Sequence, residues 1–565
     1  MRILPLIAAL CLCAAAAQAA KQPVAAIDLR GDQAATEYGN YLSARFAAGN
    51  RDLEDAAKYY IASLDSDPSD PLLLAADFYY ASGAGMMDNA AKLAGRVVQD
   101  VPDDRLSRLV LAVSAMKHGD FKGARGNIAK SAKGPFTSFT GKLIDAWAAA
   151  GMGDGSDAAD DLNSLHAQKS ADALAYFNEA MLFELLGNKD KAAAYYQQAF
   201  GAPGGATPRV ADAYGRFLER NGRAAEARAF YEKLAKEDAF KMVTGPGLER
   251  LAKGTIPPPL APTAADGAAE ALFGIAASLN DEPNHDISVI YLRLALYLEP
   301  KLDLATVLLG NRFESVEKFE DAIATYRTIA ADSPLSGFAA LATAIDTARL
   351  GRTEEAIASL KLLTAQEPSN VTAWTALGDS YRQADDFPDA VKAYDRALDA
   401  TTASGQQNWP LYYARAIAEQ ESGNWPAAEA DLKEALKLSP QEPQVLNFLG
   451  YSWVDKKVNM KEALAMLEKA RALSPEDGYI IDSVGWAYYR LGRYADAAKA
   501  LEAAVELIPG DPTINDHLGD AYWRIGRRLD AHFQWSHALA FGAEADEKAK
   551  LQKKLQVGLD RNDKS

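Results

Sequence analysis

A ladder of prolines sets the terms for this chain. Pro300, Pro334 and Pro368 stand 34 residues apart, and Pro440, Pro475 and Pro509 follow at intervals of 35 and 34. Small residues keep the same beat: Ala428, Ala463, Ala497 and Ala531 in one series, Ala435, Ala470, Ala504 and Ala538 in another, and Gly450, Gly485 and Gly519 in a third. Large apolar residues fill their own columns, with Trp374, Leu446 and Ile481, then Leu377, Leu449, Val484 and Leu518, then Trp453, Tyr488 and Tyr522. Self-similarity at such a period describes a file of small stacked units rather than one large core. Gly and Ala at helix crossings let two backbones approach, while aromatic and leucine side chains fill the space on either side. Each Pro lacks an N–H and ends the second helix of its unit.

The segment Val371 to Ala397 carries the pattern in one place, with Trp374, Leu377, Gly378, Tyr381, Ala390, Tyr394 and Ala397. Tyr479 to Pro509 repeats it with Gly485, Tyr488, Ala497, Leu501, Ala504 and Pro509. These residues resemble the tetratricopeptide repeat, a helix-turn-helix unit of about 34 residues. The resemblance implies an all-α fold: a right-handed superhelix, or α-solenoid, of about 12–14 hairpins in two arrays. It also implies a long concave groove lined by the first helix of each hairpin. The N-terminal half repeats less faithfully, with Ala56, Tyr60 and Pro68 recurring as Ala90, Ala94 and Pro102.

The expected organisation follows from where the pattern starts and stops. Residues 1–19 read as a cleavable secretory signal, with Arg2, an apolar run and the tripeptide Ala17-Gln18-Ala19. Residues 20–36 are a tether and 37–253 a degenerate first array. Residues 254–268, which open with GTIPPPLAPTAADG at 254–267, are a Pro-rich connector. Residues 269–543 form the second array, and 544–565 a capping helix and tail with Leu551, Leu555 and Leu559 on one face. Both cysteines, Cys11 and Cys13, fall in the signal, and neither has the neighbours of a lipid attachment site. The expected location is the periplasm, with an outer-membrane lipoprotein the weaker alternative.

The chain has 565 residues and a formal charge of −17. Surplus carboxylates repel phosphate backbones, so nucleic acid is not an expected partner; proteins or peptides are, with peripheral association at the outer membrane kept open. No P-loop, HExxH, GxSxG or zinc-spaced Cys/His pattern occurs, so no enzyme and no cofactor or metal is expected. His517, His532 and His537 read as ordinary surface or packing residues. The carboxylates from Asp154 to Asp161 lack the ligand order of a calcium loop and are expected in a solvated inter-helix loop.

Stepping from the glycine column places Asn447 and Tyr451 on the inward face, then Tyr479, Asp482, Trp486, Tyr489 and Arg490, then Asp516, Asp520, Trp523 and Arg524. Tyr, Trp and Arg dominate binding energy at protein interfaces. A peptide or extended segment is expected across them, and replacing Trp486 and Arg490 together is expected to weaken binding while leaving helical content and melting temperature nearly unchanged. The competing reading is that Trp486, Tyr489 and Trp523 simply pack between helices. Some tetratricopeptide domains grip a C-terminal carboxylate with Lys and Asn four residues apart, but the matching pairs here are Thr375 and Asp379, Asn447 and Tyr451, Asp482 and Trp486, Asp516 and Asp520. Acids there favour a basic or neutral segment. The C-terminal run resembles envelope tetratricopeptide proteins, among them the adaptor of a carboxyl-terminal processing protease. That resemblance implies a non-enzymatic adaptor delivering substrates; the alternative is a structural scaffold of an envelope export or polysaccharide-secretion complex.

Overall fold

A computed structural model describes residues 33–167, 172–279, 285–404, 408–542 and 544–559. The expected signal, most of the tether and the last six residues lie outside them. The described residues contain thirty α-helices and no strand. Two compact units divide the chain between Asp346 and Thr347.

Helix hairpins form for the reasons the repeat suggests. Asp477 accepts from the N–H groups of Tyr479 and Ile480, and Asp511 from those of Thr513 and Ile514, so each carboxylate caps a first helix. Pro440, Pro475 and Pro509 each stand one residue beyond the C-cap of a second helix. The 35-residue interval has a visible cause: the turn before Met460–Leu473 carries two left-handed residues, Lys457 and Asn459, where other turns use a single glycine such as Gly492. The small-residue columns work as expected. A Cβ on Gly378 would lie 2.6 Å from the Tyr394 ring, and one on Gly485 2.6 Å from Leu501.

The unit Ile27–Asp346 begins with helix Gln33–Gly49, slightly earlier than expected. Its hairpins run on through Ala224–Leu234, followed by the single helix Lys241–Lys253. The carboxylates expected in a loop belong instead to helix Gly155–Asn163: Asp154 is its N-cap, and Asp157 pairs with Arg125 at 2.6 Å.

The Pro-rich stretch does not separate two arrays, and this corrects the expected boundary. Thr263 and Asp266 form a capping box that starts helix Ala264–Ser278, so the last residues of the expected connector are helical. That helix packs on Pro135–Gly151, where Trp147 closes over Gly267, a fit that any Cβ would prevent. The buried Trp147 indole donates to Asn178 at 2.9 Å, and Glu270 forms an ion pair with Arg209. The next helix, His285–Leu298, lies against Pro71–Ala84 and Arg105–Lys117. Tyr79 donates to Asp286 at 3.2 Å, Tyr297 to Asp88 at 2.7 Å, and Lys117 to the Leu298 carbonyl at 3.2 Å. Val289, Ile290, Leu272 and Ile275 therefore share one apolar core with Leu109, Val113 and Ile144. Pro71–Ala84, Arg105–Lys117 and Pro135–Gly151 are all first helices. The face expected to form an open groove here is filled by the chain itself.

In the second unit, hairpins run from Val371–Gln383 with Phe387–Ser404 to Pro512–Arg524 with Arg528–Ala540, and end in helix Ala545–Val557. Leu551 and Leu559 of this last segment enter a core with Leu518 and Trp535, as a capping helix should.

Candidate functional site

The inward-facing positions of the second unit fall into two groups, one closed and one open. The closed group contains most of the residues singled out in the sequence. Trp486 is 8% exposed and sits between two rings: the His517 imidazole, centroids 4.0 Å apart and planes 14° apart, and the Tyr489 phenol, 4.8 Å and 6°. Such contacts add roughly 0.5–1.5 kcal/mol per aromatic pair beyond the buried area. Tyr489 is buried too; its hydroxyl accepts from Arg524 at 3.2 Å, and its ring meets Tyr494 edge-on at 5.3 Å. Arg490 holds its guanidinium 5.7 Å over the Trp486 ring and donates to the Asp455 carbonyl at 3.1 Å. Half-buried Tyr479 packs against the satellite cluster of Ile481, Ala504 and Ile514. Packing between successive helices is thus the role of Trp486 and Tyr489, and the expectation of an open aromatic strip is corrected there.

The acids are internal as well. Asp482 is buried and meets His517 Nδ1 at 2.9 Å. Burial drives the His517 imidazole toward its neutral form, but Asp482, with Asp516 and Asp520 behind it, outweighs that and holds its pKa above the usual histidine value. Asp520 accepts from the Trp535 indole at 3.0 Å, tying the first helix of the hairpin to the second. Burial pushes its carboxyl up to about 6, against the pull of Lys554. Lys554, from the capping helix, reaches both Asp516 at 2.6 Å and Asp520 at 2.7 Å. Trp523, half-buried, donates to the Leu559 carbonyl at 3.2 Å. The basic group these acids were expected to attract is already present, and it belongs to this chain.

Asn447 and Tyr451 are buried on helix Pro443–Asp455. Neither amide atom of Asn447 has a protein partner. Burial first, then Asp482 and Asp455, raise the Tyr451 hydroxyl well above the normal phenol range, and Glu547 of the capping helix adds to the effect.

The open group lies one and two hairpins earlier, in the same register. Thr372, Asp379 and Gln383 are exposed on helix Val371–Gln383, with Thr375 and Arg382 half-exposed. On Trp409–Glu421 the matching positions include half-exposed Tyr413, Ile417 and Gln420, and at the start of the following first helix, Pro443–Asp455, Gln444 is exposed. Asp379 accepts from Tyr394 at 2.6 Å, so only its outer edge is available. Behind this face Arg415 bridges Asp395 at 2.5 Å and Asp431 at 2.6 Å, and burial, followed by Asp431, pushes the Glu419 carboxyl up to about 7. Sequence reasoning passed over these residues because they lack the Trp and Arg enrichment that drew attention further along. The signal was there in the register itself: Thr372, Thr375, Asp379, Arg382 and Gln383 align with Tyr479, Asp482, Trp486, Tyr489 and Arg490.

Residues 341–405, 413–478 and 173–202 match family models described as tetratricopeptide repeat, and 485–526 one described as TPR repeat. A TPR repeat-containing protein of Pseudomonas aeruginosa is 35% identical over 89 residues, which are 16% of this chain and 15% of that protein. The match thus spans well under two thirds of that relative. Among solved structures, the APC/C hetero-tetramer Cut9–Hcn1 aligns with 92% of this chain and 96% of its own, at 15% identity and a TM-score of 0.39. A tetratricopeptide repeat protein from Parabacteroides merdae aligns with 44% of this chain and 96% of its own, at 15% identity and a TM-score of 0.37. The segments 173–202, 341–405, 413–478 and 485–526 thus carry tetratricopeptide repeats.

Proposed function

We propose that this chain is a non-enzymatic adaptor of the periplasm that binds protein partners on the open first-helix face of residues 371–444 and presents them to an envelope protease. One observation carries the binding reading. Register positions that are buried at Asn447, Tyr451, Asp482, Trp486, Tyr489 and Asp520 are exposed or half-exposed on helices Val371–Gln383 and Trp409–Glu421, where they offer hydroxyls, amides, a guanidinium and apolar side chains together. Side chains of that mixture bind through area and directed hydrogen bonds, and they leave no charge to be desolvated alone. The carboxylates of Asp379 and Glu421 at its edges, on a chain of charge −17, steer basic or neutral segments toward it. Export and the protease as recipient rest on the Arg2-to-Ala19 segment and on the likeness of the C-terminal repeats to envelope adaptors.

The test is photocrosslinking in intact cells with a reactive residue at position 372 or 383, and a control at Leu362, which is 67% exposed on helix Thr353–Gln366. Protein adducts at 372 and 383 that are missing at 362 support the reading, and an envelope protease among them supports the specific role. Equal labelling at all three positions refutes the binding face. Fractionation that leaves the chain in the cytoplasm refutes the location.

A further inference from the structure

The acids at the end of the second unit, half-buried Asp516 and buried Asp520, do not face another hairpin of the tandem. They face helix Ala545–Val557, and the way this segment is held differs from the hairpins before it. Asp482 of one first helix meets His517 of the next; Asp516 meets Lys554 in the equivalent place. The last helix therefore sits where the first helix of another hairpin would stack. Yet it brings little with it. Leu551 and Leu559 are buried and Lys554 and Leu555 half-buried, while Lys548, Lys550, Gln552, Lys553 and Gln556 are exposed. An isolated helix of this length is marginal in water, so it persists through those few contacts. Its far end is fastened by Trp523, whose ring lies against Gly558 and whose indole N–H reaches the Leu559 carbonyl at 3.2 Å.

The seat itself is unbalanced. One ammonium is shared by Asp516 and Asp520, with Asp482 and Asp511 nearby and His517 and Arg524 to offset the four acids. It is an apolar pocket for Leu551, with Leu559 buried beyond it, flanked by a carboxylate pair and an indole.

We infer that this end face is a binding seat for a basic amphipathic helix, and that Ala545–Val557 is a built-in occupant which a partner helix of the same pattern, leucine followed three residues on by lysine, replaces. The inference rests on the adaptor reading and adds the chemistry of the partner. A partner helix gains the Asp516–Asp520 pair and the Trp523 ring by displacing the resident one. While the resident helix is seated, the apparent affinity for a competitor is reduced by the fraction of chains in which the seat is open. The resident helix thus sets a threshold for recruitment.

The experiment uses the full chain and a fluorescent peptide of residues 544–559. In the unaltered chain, amides of 545–557 should exchange with solvent about ten-fold or more faster than those of helix Gly478–Arg490, because local opening releases the helix without unfolding the hairpins. The chain carrying Lys554→Glu should bind the peptide about ten-fold tighter than the unaltered chain, and the peptide carrying the same change should lose that gain. If Lys554→Glu does not fold, Leu551→Ala empties the leucine pocket and serves as the unseating variant. Exchange at 545–557 as slow as in the hairpins makes the helix a fixed cap and overturns the inference. Fast exchange with no peptide binding to either variant also overturns it. Crosslinks at 372 and 383 that survive such a failure leave the adaptor reading intact; peptide binding without those crosslinks has the opposite meaning.

Discussion

The Trp486 indole and the His517 imidazole lie face to face, 4.0 Å between centroids, although they belong to consecutive hairpins. That stack makes Trp486 a mortar between repeats. Trp486→Ala should destabilise the chain by about 3–5 kcal/mol, the usual cost of emptying a large aromatic site. Thermal and denaturant unfolding followed by circular dichroism measure it; an unchanged midpoint would return Trp486 to the recognition surface.

The same histidine makes stability depend on pH. Its folded pKa is raised, so between the ordinary value of about 6.5 and the higher folded one the native chain keeps a proton that the unfolded chain has lost, and stability falls as pH rises through that window. Asp520, held up to about 6, acts with the same sign at lower pH, from its ordinary carboxylate value upward. Denaturation midpoints should therefore decline more steeply with rising pH, from about pH 6.5 upward, in the native chain than in His517→Gln. Parallel curves would show that the Asp482–His517 pair carries no linked proton.

Gly267 is the point where the returning helix meets Trp147. Gly267→Ala should overpack that contact and cost about 1–3 kcal/mol, despite the higher helix propensity of alanine. Equilibrium unfolding decides the sign, since a gain in stability would mean that Ala264–Ser278 does not lie on Pro135–Gly151.

Thr372 and Gln383 are exposed, so Thr372→Lys with Gln383→Lys should shift stability by no more than about 0.5 kcal/mol at each position. Capture of basic partner segments should nevertheless fall, because the added charges repel them. Pull-down with matched melting curves separates the two effects.

The repeat unit was plainly readable because its columns are local. Gly485 and Leu501 are 16 residues apart and meet inside one hairpin, so spacing alone reports their contact. Which inward positions stay open was not readable in that way. Asp482 and Asp516 occupy the same register position, yet one is closed by His517 of the next hairpin and the other by Lys554, 38 residues downstream. Thr375, again in that register, remains half-exposed, its hydroxyl donating to the Val371 carbonyl of its own helix at 2.8 Å. The return of Ala264–Ser278 onto Pro135–Gly151 was hidden for the same reason. Prolines at 257–259 advertise a break in helix, but where the chain travels afterwards depends on a distant tryptophan and a glycine that makes room for it.

The Trp147–Gly267 contact also tells an experimenter where to cut. A fragment stopped at the prolines would leave an oily trench along Pro71–Ala84, Arg105–Lys117 and Pro135–Gly151 and strand Arg209 without its counter-ion, whereas one that ends after Asp346 keeps the stopper in its bottle.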